Sequence, residues 1–288
     1  MRLALGTVQF GLTYGVANRT GQVNRSMAKA MLQLALEHGI DMLDTAIAYG
    51  ESEASLGDVG IQGFQVVTKL PAVPDGCADV KGWVDEQLAA SLQRLGVSAM
   101  HGLLLHRPQQ LLQANGKELY RSLQMLKESG VVEKIGVSIY APSELDELSL
   151  RYRFDLVQAP FSLVDRRLAT SGWLQRLREA GVEVHTRSAF LQGLLLMSRD
   201  DIPDKFSPWG SLWTKWHAWL TQSGGSPLSA CLAFPLSFTE IDRVVVGADS
   251  VRQLEQIIGA AQHDASLELP DLECHEDELM NPARWAQL

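Results

Sequence analysis

The sequence is poor in cysteine, and this limits both its chemistry and its compartment. Only three cysteines, Cys77, Cys231 and Cys274, occur among 288 residues, far apart and at no spacing that is typical of a metal site. Disulfide-rich secreted domains and zinc-binding modules use more cysteines at closer spacing. The composition therefore predicts a reduced, cytoplasmic location and no bound metal ion.

Long apolar runs and basic patches are also missing. No segment approaches the roughly 20 consecutive apolar residues that a membrane-spanning helix needs. The first residues, Met1 to Thr7, are typical of a strand and not of a secretory signal. The formal net charge is −9, whereas nucleic-acid binding needs a basic face. We therefore expect neither a membrane nor a nucleic acid as partner, while the acidity says nothing about a small-molecule substrate.

What recurs along the chain is a short apolar run, a polar turn and a helical pattern. Positions such as Ala28, Met31, Leu32 and Ala35 follow the i, i+3, i+4 spacing of a helix with one buried face. The predicted strands are 3–6, 41–44, 65–68, 100–105, 134–137, 155–158, 183–186 and 243–246. The predicted helices are 27–38, 83–95, 119–129, 142–150, 172–180 and 251–261.

Eight strands that alternate with helices predict a closed parallel (β/α)₈ TIM barrel of the α/β class, and not an open doubly wound sheet. A doubly wound dinucleotide-binding domain would carry G-x-G-x-x-G after its first strand, and GTVQFG (6–11) lacks that spacing. No low-complexity linker or charge block divides the chain. We expect a single domain over residues 1–288.

Polar residues follow the predicted strands at the end where such barrels carry their active sites. Strands two to six end in Asp44, Lys69, His106, Ser138 and Gln158, and Tyr49 lies in the loop after strand two. Each of these residues alone has an ordinary structural role: a helix cap, a solvated cation, a packed histidine or a surface tyrosine. Their convergence on one rim favours a catalytic site.

Three segments resemble a known family. LDTAIAYGESEASLG (43–57) is highly specific, and VTKL (67–70) and LLHRP (104–108) follow in order. Together they resemble the aldo-keto reductase superfamily, and the similarity extends over nearly the whole chain. The resemblance implies an enzyme that interconverts carbonyl and alcohol by hydride transfer, with a catalytic tetrad of Asp44, Tyr49, Lys69 and His106.

In such a tetrad, Tyr49 handles the proton of the substrate oxygen. A phenol with an ordinary pKa of about 10 is a weak acid near neutrality. An adjacent Lys69 ammonium, held by Asp44, would favour the phenolate and make the phenol a better proton donor. His106 would hydrogen-bond the substrate oxygen. A metal-dependent barrel hydrolase would need more His, Asp and Glu at the strand ends.

The resemblance also implies a nicotinamide cofactor across the barrel mouth. The implied contacts are Gly6, Thr7, Ser138, Gln158, Arg187, Ser188, Phe190, Gln192, Gly193, Gly247, Ala248, Asp249, Arg252, Gln253 and Gln256. In relatives, the residues at Ser138 and Gln158 hold the nicotinamide carboxamide, but Ile139 stands where Asn often follows. Arg187 replaces the aromatic residue that many relatives stack on the nicotinamide, and a guanidinium plane can also stack.

The end of the site that would bind the adenosine departs from the family. VGADSVRQLEQ (246–256) joins the last strand to a helix, whose N-terminus suits a phosphate. Asp249 stands where relatives often have a cationic or hydroxyl side chain near the 2′-phosphate, which a carboxylate would repel. Arg252, one turn along the helix, would compensate. We expect a weak preference for NADP(H), with NAD(H) not excluded.

The substrate and one aromatic segment stay open. FSPWGSLWTKWHAWL (206–220) carries tryptophans at helical spacing, which favours a helix face packed on the barrel over a wall of the substrate pocket. Some relatives are regulatory subunits that bind cofactor, so a catalytically weak binding subunit is the alternative to an enzyme. The sequence is compatible with a monomer and does not identify the physiological carbonyl or alcohol substrate.

Overall fold

Eight parallel strands close on themselves in the computed structural model of the chain, which describes residues 1–262 and 268–288. The strands are arranged in chain order, and the last one pairs with the first. They are β1 Leu3–Gly6, β2 Met42–Asp44, β3 Gln65–Leu70, β4 Met100–Leu105, β5 Val132–Ser138, β6 Leu156–Pro160, β7 Glu183–Arg187 and β8 Arg243–Gly247. This topology confirms the predicted (β/α)₈ barrel.

Helices fill the connections between the strands. They are α1 Val8–Gly11, α2 Arg25–Glu37, α3 Ser52–Val59, α4 Val80–Leu95, α5 Gly116–Glu128, α6 Glu144–Arg151, α7 Arg167–Thr170, α8 Trp173–Glu179, α9 Gly210–Ser223, α10 Pro227–Leu236, α11 Val251–Gln262 and α12 Asp277–Met280. Short 3₁₀ turns occupy Pro108–Leu112, Leu194–Leu196, Arg199–Asp201, Asp204–Trp209 and Pro282–Gln287. Side-chain caps begin α2 and α4, where Asn24 and Asp79 accept the first free backbone N–H groups.

All the predicted strands and helices occur, with ends shifted by a few residues, but the four-residue helices α1, α7 and α12 and the longer α3 and α10 were not predicted. The α10 segment, PLSACLAFPL, is apolar on nearly every face, so it lacks the 3.6-residue periodicity that marks an amphipathic helix. The α3 segment, SEASLGDV, is short and rich in small residues. Because neither segment carries a strong local pattern, tertiary contacts determine that both of them form helices.

The strand pleat separates two apolar layers. A small cluster fills the inside of the barrel, and the alternate strand positions join the larger core between strands and helices. The inner cluster consists of Ala4, Met42, Val67, Leu104, Leu156 and Val245. Because side-chain direction repeats every two residues, the residues two positions further along these strands also point into the barrel. At that level the side chains become polar.

The tryptophan-rich segment is part of the packed structure. Trp213 and Trp216 are buried on α9, and their indole N–H groups donate to the carbonyl oxygens of Phe206 and Leu195 at 2.8 and 3.0 Å. Trp219 stacks on Trp216 with ring centroids 5.5 Å apart. Among the described residues, no tryptophan lines the cavity at the carboxyl ends of the strands, which is described below. Packing on the barrel is therefore the interpretation that the structure supports.

A charged cluster lies at the amino-terminal ends of the strands, opposite the polar rim. Glu183 lies 2.6 Å from His185 Nε2 and 3.1 Å from His101 Nε2, and it forms an ion pair with Lys134. Burial alone would raise the pKa of Glu183, but the hydrogen bonds from these three partners outweigh it and lower the pKa. The cluster therefore places an ionised carboxylate at this end of the barrel.

Over residues 1–262 and 268–288, no helix has the length and apolar character needed to cross a membrane. In the same residues, no group of three or more His, Cys, Asp or Glu side chains is arranged to hold a metal ion.

Candidate active site

A ring of inward-pointing residues crowns the carboxyl ends of the strands. Each strand contributes one member, which lies in the strand or, for His106, directly after it: Gly6, Asp44, Lys69, His106, Ser138, Gln158, Arg187 and Gly247. Most stand two residues beyond a member of the inner apolar cluster, so the pleat alone aims them into the same mouth. The structure thus brings together the polar strand ends that the sequence singled out.

Asp44 and Lys69 form a buried ion pair at the base of this mouth. Lys69 Nζ donates to Asp44 Oδ1 at 2.6 Å and to the Thr45 carbonyl oxygen at 2.9 Å, and its side chain is 1% exposed. Gln158 Nε2 donates to the second carboxylate oxygen, Asp44 Oδ2, at 2.6 Å. Both oxygens of Asp44 are therefore occupied, as a buried carboxylate requires.

Gln158 contacts the ion pair and not the open cavity. It is fully buried, and its Oε1 accepts a hydrogen bond from Ser138 Oγ at 3.3 Å. The contact with the nicotinamide carboxamide that the resemblance implies for Gln158 stays a prediction, and one N–H of its amide donates to Asp44 Oδ2. In this structure its contacts make it a support for the Asp44 carboxylate.

Tyr49 is held in position by a turn that presses against α1. Gly50 has φ +56°, and the backbone of the turn approaches Gly11 so closely that a Cβ there would lie 1.8 Å from the Tyr49 carbonyl oxygen. Ser52 Oγ donates to the Thr7 carbonyl oxygen at 2.8 Å and fixes the start of α3 beside β1. Small and hydroxyl residues therefore set the place of the phenol.

The phenol ring of Tyr49 lies against two other predicted catalytic side chains. Lys69 Nζ is 5.2 Å from the ring centroid, and the His106 ring meets it edge to face at 5.8 Å. The four predicted catalytic side chains, Asp44, Tyr49, Lys69 and His106, therefore form one contact group. Asp44, Tyr49 and His106 line the cavity, while Lys69 lies beneath them.

The pKa of Tyr49 differs from the sequence-based expectation, in which the Lys69 ammonium favours the phenolate. Burial, followed by the Asp44 carboxylate, raises the pKa of Tyr49, and Arg187 is the cation that opposes this rise. Burial also lowers the pKa of Lys69 despite its pairing with Asp44. Burial, followed by the charges of Lys69 and Arg187, lowers the pKa of His106 to about 4. Near neutrality the site thus holds a protonated phenol and a neutral imidazole.

One cavity of about 520 Å³ extends from these side chains to the start of α11. Its volume is within the usual range for small-molecule and cofactor sites. The predicted cofactor residues that line it are Gly6, Thr7, Ser138, Arg187, Ser188, Phe190, Gln192, Gly193, Gly247, Asp249, Gln253 and Gln256. Gln158, Ala248 and Arg252 do not line it: the first two are buried, and Arg252 is exposed on the outer side of α11.

The loop after β7 has the strained backbone that ligand-binding loops often show. Ser188, Leu191 and Gln192 adopt left-handed φ values of 66°, 49° and 53°, which cost energy in residues other than glycine. Gly193 follows at φ 90°, where a Cβ would collide with Ala17. This loop forms one wall of the cavity. The strained backbone therefore lies where a molecule bound in the cavity would contact it.

Two charged side chains mark opposite ends of the cavity. Arg187 Nη2 donates to the Ile139 carbonyl oxygen at 2.9 Å, and its guanidinium lies over the Tyr140 ring at 4.8 Å. At the other end, Asp249 Oδ1 accepts from Asn18 Nδ2 at 3.1 Å. Burial raises the pKa of Asp249, and hydrogen bonds partly offset the rise.

Some lining residues were missed by the sequence reasoning. Gln9, Tyr14 and Asn18 come from the chain after β1, and Tyr140 follows β5. The sequence shows only that these residues lie in connections that follow a strand. That position alone does not distinguish a residue that lines the cavity from one on the surface. Gln9 Oε1 is buried without a hydrogen-bond partner, an unmet acceptor that a bound molecule could satisfy.

Comparisons with known proteins agree with this geometry. The oxidoreductase sirO of Leptosphaeria maculans is 25% identical to the chain, with 89% of this chain and 87% of that protein aligned. The NADH-specific methylglyoxal reductase of Escherichia coli is 28% identical over 70% of this chain and 68% of its own. An aldo-keto reductase structure from Bacillus halodurans, in its holo form, has the same fold at 22% identity, with a TM-score of 0.70 over 91% of this chain and 87% of that one.

The family assignment follows from a match that covers most of the chain. The model of the Aldo/keto reductase family matches residues 2–268. Members of this family are oxidoreductases that use nicotinamide cofactors and act on small-molecule carbonyl compounds or alcohols. With the closed eight-stranded barrel and the contact group at its carboxyl rim, the chain belongs to the aldo/keto reductase family.

Proposed function

We propose that the chain reduces a carbonyl compound to an alcohol, and catalyses the reverse oxidation, with Tyr49 transferring the proton. The observation that carries the proposal is that Tyr49 and His106 line one end of a single cavity, in contact with the buried Lys69–Asp44 pair. A bound reduced nicotinamide supplies the hydride to the carbonyl carbon. The chain's own side chains hold the substrate oxygen and provide its proton.

Tyr49 donates its phenolic proton to the carbonyl oxygen while negative charge develops there. Its raised pKa keeps the phenol protonated in the free protein, and the Arg187 cation, which opposes that rise, stabilises the anionic charge as the proton leaves. The Lys69–Asp44 pair lies beneath the phenol ring. His106 is neutral near pH 7 because its pKa is lowered to about 4. Its ring N–H can therefore hydrogen-bond the same oxygen without competing as an acid.

The remaining cavity residues would hold the cofactor. Ser138 Oγ lies at the rim beside the catalytic group and would contact the nicotinamide carboxamide, with Gln158 fixing Ser138 and Asp44 from below. The loop from Ser188 to Gly193 and the start of α11 would hold the phosphates. These assignments extend the family's cofactor use to particular residues of this chain.

The structure supports NAD(H) more than the NADP(H) preference expected from Arg252. We propose that NAD(H) binds at least as tightly, because Asp249 lines the adenosine end of the cavity while Arg252 is exposed outside it. A carboxylate at this place repels a 2′-phosphate and can accept a hydrogen bond from a 2′-hydroxyl.

The test of the catalytic assignment is Tyr49→Phe, with Tyr140→Phe as control because it removes another phenol from the same cavity. Tyr49→Phe should lower kcat for aldehyde and ketone reduction by about 100-fold to 10,000-fold, while cofactor fluorescence titration gives an unchanged Kd. Tyr140→Phe should retain most turnover. Wild-type turnover by Tyr49→Phe would rule out Tyr49 as the acid. Cofactor binding without turnover over a broad carbonyl panel would favour the binding-subunit alternative.

Titration with NADH and NADPH tests the cofactor proposal. Asp249→Ser should improve NADPH binding relative to NADH by about tenfold, since it removes one unit charge near the 2′ position. Arg252→Gln is the control and should leave the ratio of the two Kd values unchanged. A wild-type preference for NADPH that Arg252→Gln abolishes would restore the sequence-based expectation.

Three further proposals rest on the sequence alone. The low cysteine content supports a cytoplasmic location, and the absence of a divided composition supports one domain that extends over residues 1–288. A monomer is the simplest state compatible with the sequence. Size-exclusion chromatography with light scattering tests the last of these.

A further inference from the structure

Arg187 is a fixed and unpaired cation at the catalytic end of the cavity. It ends β7, is only partly exposed, and points into the mouth beside Tyr49 and His106. Its guanidinium is held by the Ile139 carbonyl oxygen at 2.9 Å, by Ser188 Oγ at 3.3 Å and by the face of the Tyr140 ring. In the part of the chain that the structure describes, it forms no ion pair.

Three other partly buried arginines are paired with carboxylates, whereas Arg2 lies outside the cavity and donates to three backbone carbonyl oxygens. Arg94 pairs with Glu53 at 2.7 Å, Arg167 with Asp165 at 2.8 Å, and Arg166 with Asp271 at 3.5 Å. An uncompensated cation in a partly desolvated site is costly. A guanidinium that is rigid, unpaired and exposed to a ligand cavity is therefore a preformed site for an anion.

We propose that Arg187 binds an anionic group on the substrate, so that the preferred carbonyl compound carries a carboxylate or phosphate a few bonds from its carbonyl. This inference rests on the proposed function, since it assigns the specificity of the same site. The guanidinium's planar fork of N–H donors matches either anion. The anion would lie on the side of the mouth where Arg187 and Tyr140 form the wall.

The charge of Arg187 acts at the catalytic end, where the substrate must lie. It lowers the pKa of Tyr49, Tyr14 and His106, in each case against or beside larger effects of burial. At the adenosine end, the groups that shift the pKa of Asp249 are its burial and its neighbours Asn18 and Gln253. Arg187 is thus placed to meet an anion next to the reacting carbonyl.

The test compares matched substrates that differ by one anionic group. Butanal and 4-oxobutanoate form the carboxylate pair, and glyceraldehyde and its 3-phosphate form the phosphate pair. Wild-type protein should show a higher kcat/KM for the anionic member of at least one pair. In Arg187→Met the ratio of anionic to neutral kcat/KM should fall by about tenfold or more. Arg187→Lys should retain part of the ratio because it keeps the charge.

Arg166→Met is the matched control. Arg166 also donates to carbonyl oxygens and lies over an aromatic ring, Phe234, at 4.9 Å, but it is outside the cavity. Its substitution should leave the ratio at the wild-type value. A ratio near one in wild-type protein, or a ratio that Arg187→Met does not change, overturns the inference while carbonyl reduction stands.

Two measurements distinguish a substrate-binding role of Arg187 from a role in cofactor binding and from a failure of the proposed function. Equal losses on both members of a pair, together with weaker cofactor binding in Arg187→Met, would assign Arg187 to the cofactor and overturn the inference. If no carbonyl is reduced, the proposed function fails, and calorimetric titration with succinate and inorganic phosphate decides the anion site. Binding that Arg187→Met abolishes and Arg166→Met preserves supports the site, and absence of binding overturns it.

Discussion

The contact between Gly11 and the Tyr49 turn gives the sharpest test of how the fold positions the phenol. A methyl group at Gly11 would lie 1.8 Å from the Tyr49 carbonyl oxygen, 2.4 Å from Ser52 N and 2.9 Å from Glu51 N. All three neighbours are backbone atoms, so no side-chain rotation can relieve the contact. The turn that carries Tyr49 must move away from α1, or α1 must move from the barrel.

The expected destabilisation follows from two opposing effects. Overpacking a core position typically costs about 1–3 kcal/mol, and a contact with backbone alone belongs at or above the upper end of that range. Alanine in place of glycine in a helix gains back up to about 1 kcal/mol. Gly11→Ala should therefore lower the free energy of unfolding by about 2 kcal/mol or more, and it should also lower kcat because Tyr49 is displaced.

Urea denaturation followed by circular dichroism measures the stability change, and carbonyl-dependent cofactor oxidation measures turnover. Gly210→Ala is the matched control, since Gly210 begins α9 and a Cβ there meets nothing within 4 Å. The control should be neutral or slightly stabilising and fully active. If Gly11→Ala matches this control in both stability and turnover, the close approach does not fix Tyr49 and the reasoning fails.

Three further outcomes are expected. Glu53→Gln should lower the free energy of unfolding in urea by about 3 kcal/mol, because the 2%-exposed carboxylate loses its ion pair with Arg94; a loss below about 1 kcal/mol would contradict this. The kcat/KM for reduction should stay level from about pH 5 to 9, since the pKa of His106 is about 4 and that of Tyr49 is raised; a step near pH 6.5 would contradict it. Glu183→Gln should lower the free energy of unfolding by about 3 kcal/mol at pH 7. A carboxyl whose pKa is lowered in the folded state stabilises the fold only above its pKa in the unfolded chain, about 4.3. The difference in unfolding free energy between variant and wild type should therefore shrink below about pH 4.3 in a series of denaturation measurements.

The position of the polar rim could be predicted because one geometric rule generates it. Parallel strands expose their carboxyl ends at one face of a barrel, and residues such as Asp44 and His106 stand directly at those ends. Local sequence is enough to place them, because the strand is short, apolar and followed at once by the polar residue. The same rule places Ser138 and Arg187 on the rim.

Contacts between distant segments could not be predicted in this way. Gln158 is 114 residues from Asp44 along the chain, and only the closed barrel reveals that its amide donates to that carboxylate. Asn18 and Asp249 are 231 residues apart and meet across the cavity. Arg252 is three residues beyond Asp249, yet the rotation of α11 leaves it exposed. Sequence spacing gives the helix but not its angle to the barrel.

The buried charges of the rim explain why reduction suits this cavity. Asp44 and Lys69 neutralise each other, and His106 is uncharged near neutrality, so Arg187 leaves the catalytic end with one net positive charge among the ring residues. Carbonyl reduction places developing negative charge on an oxygen at this end. The Asp249 carboxyl group lines the same cavity just before the start of α11. Under the proposed function, the positive charge of Arg187 would stabilise the oxyanion in the transition state, and the Asp249 carboxylate would favour a 2′-hydroxyl over a 2′-phosphate.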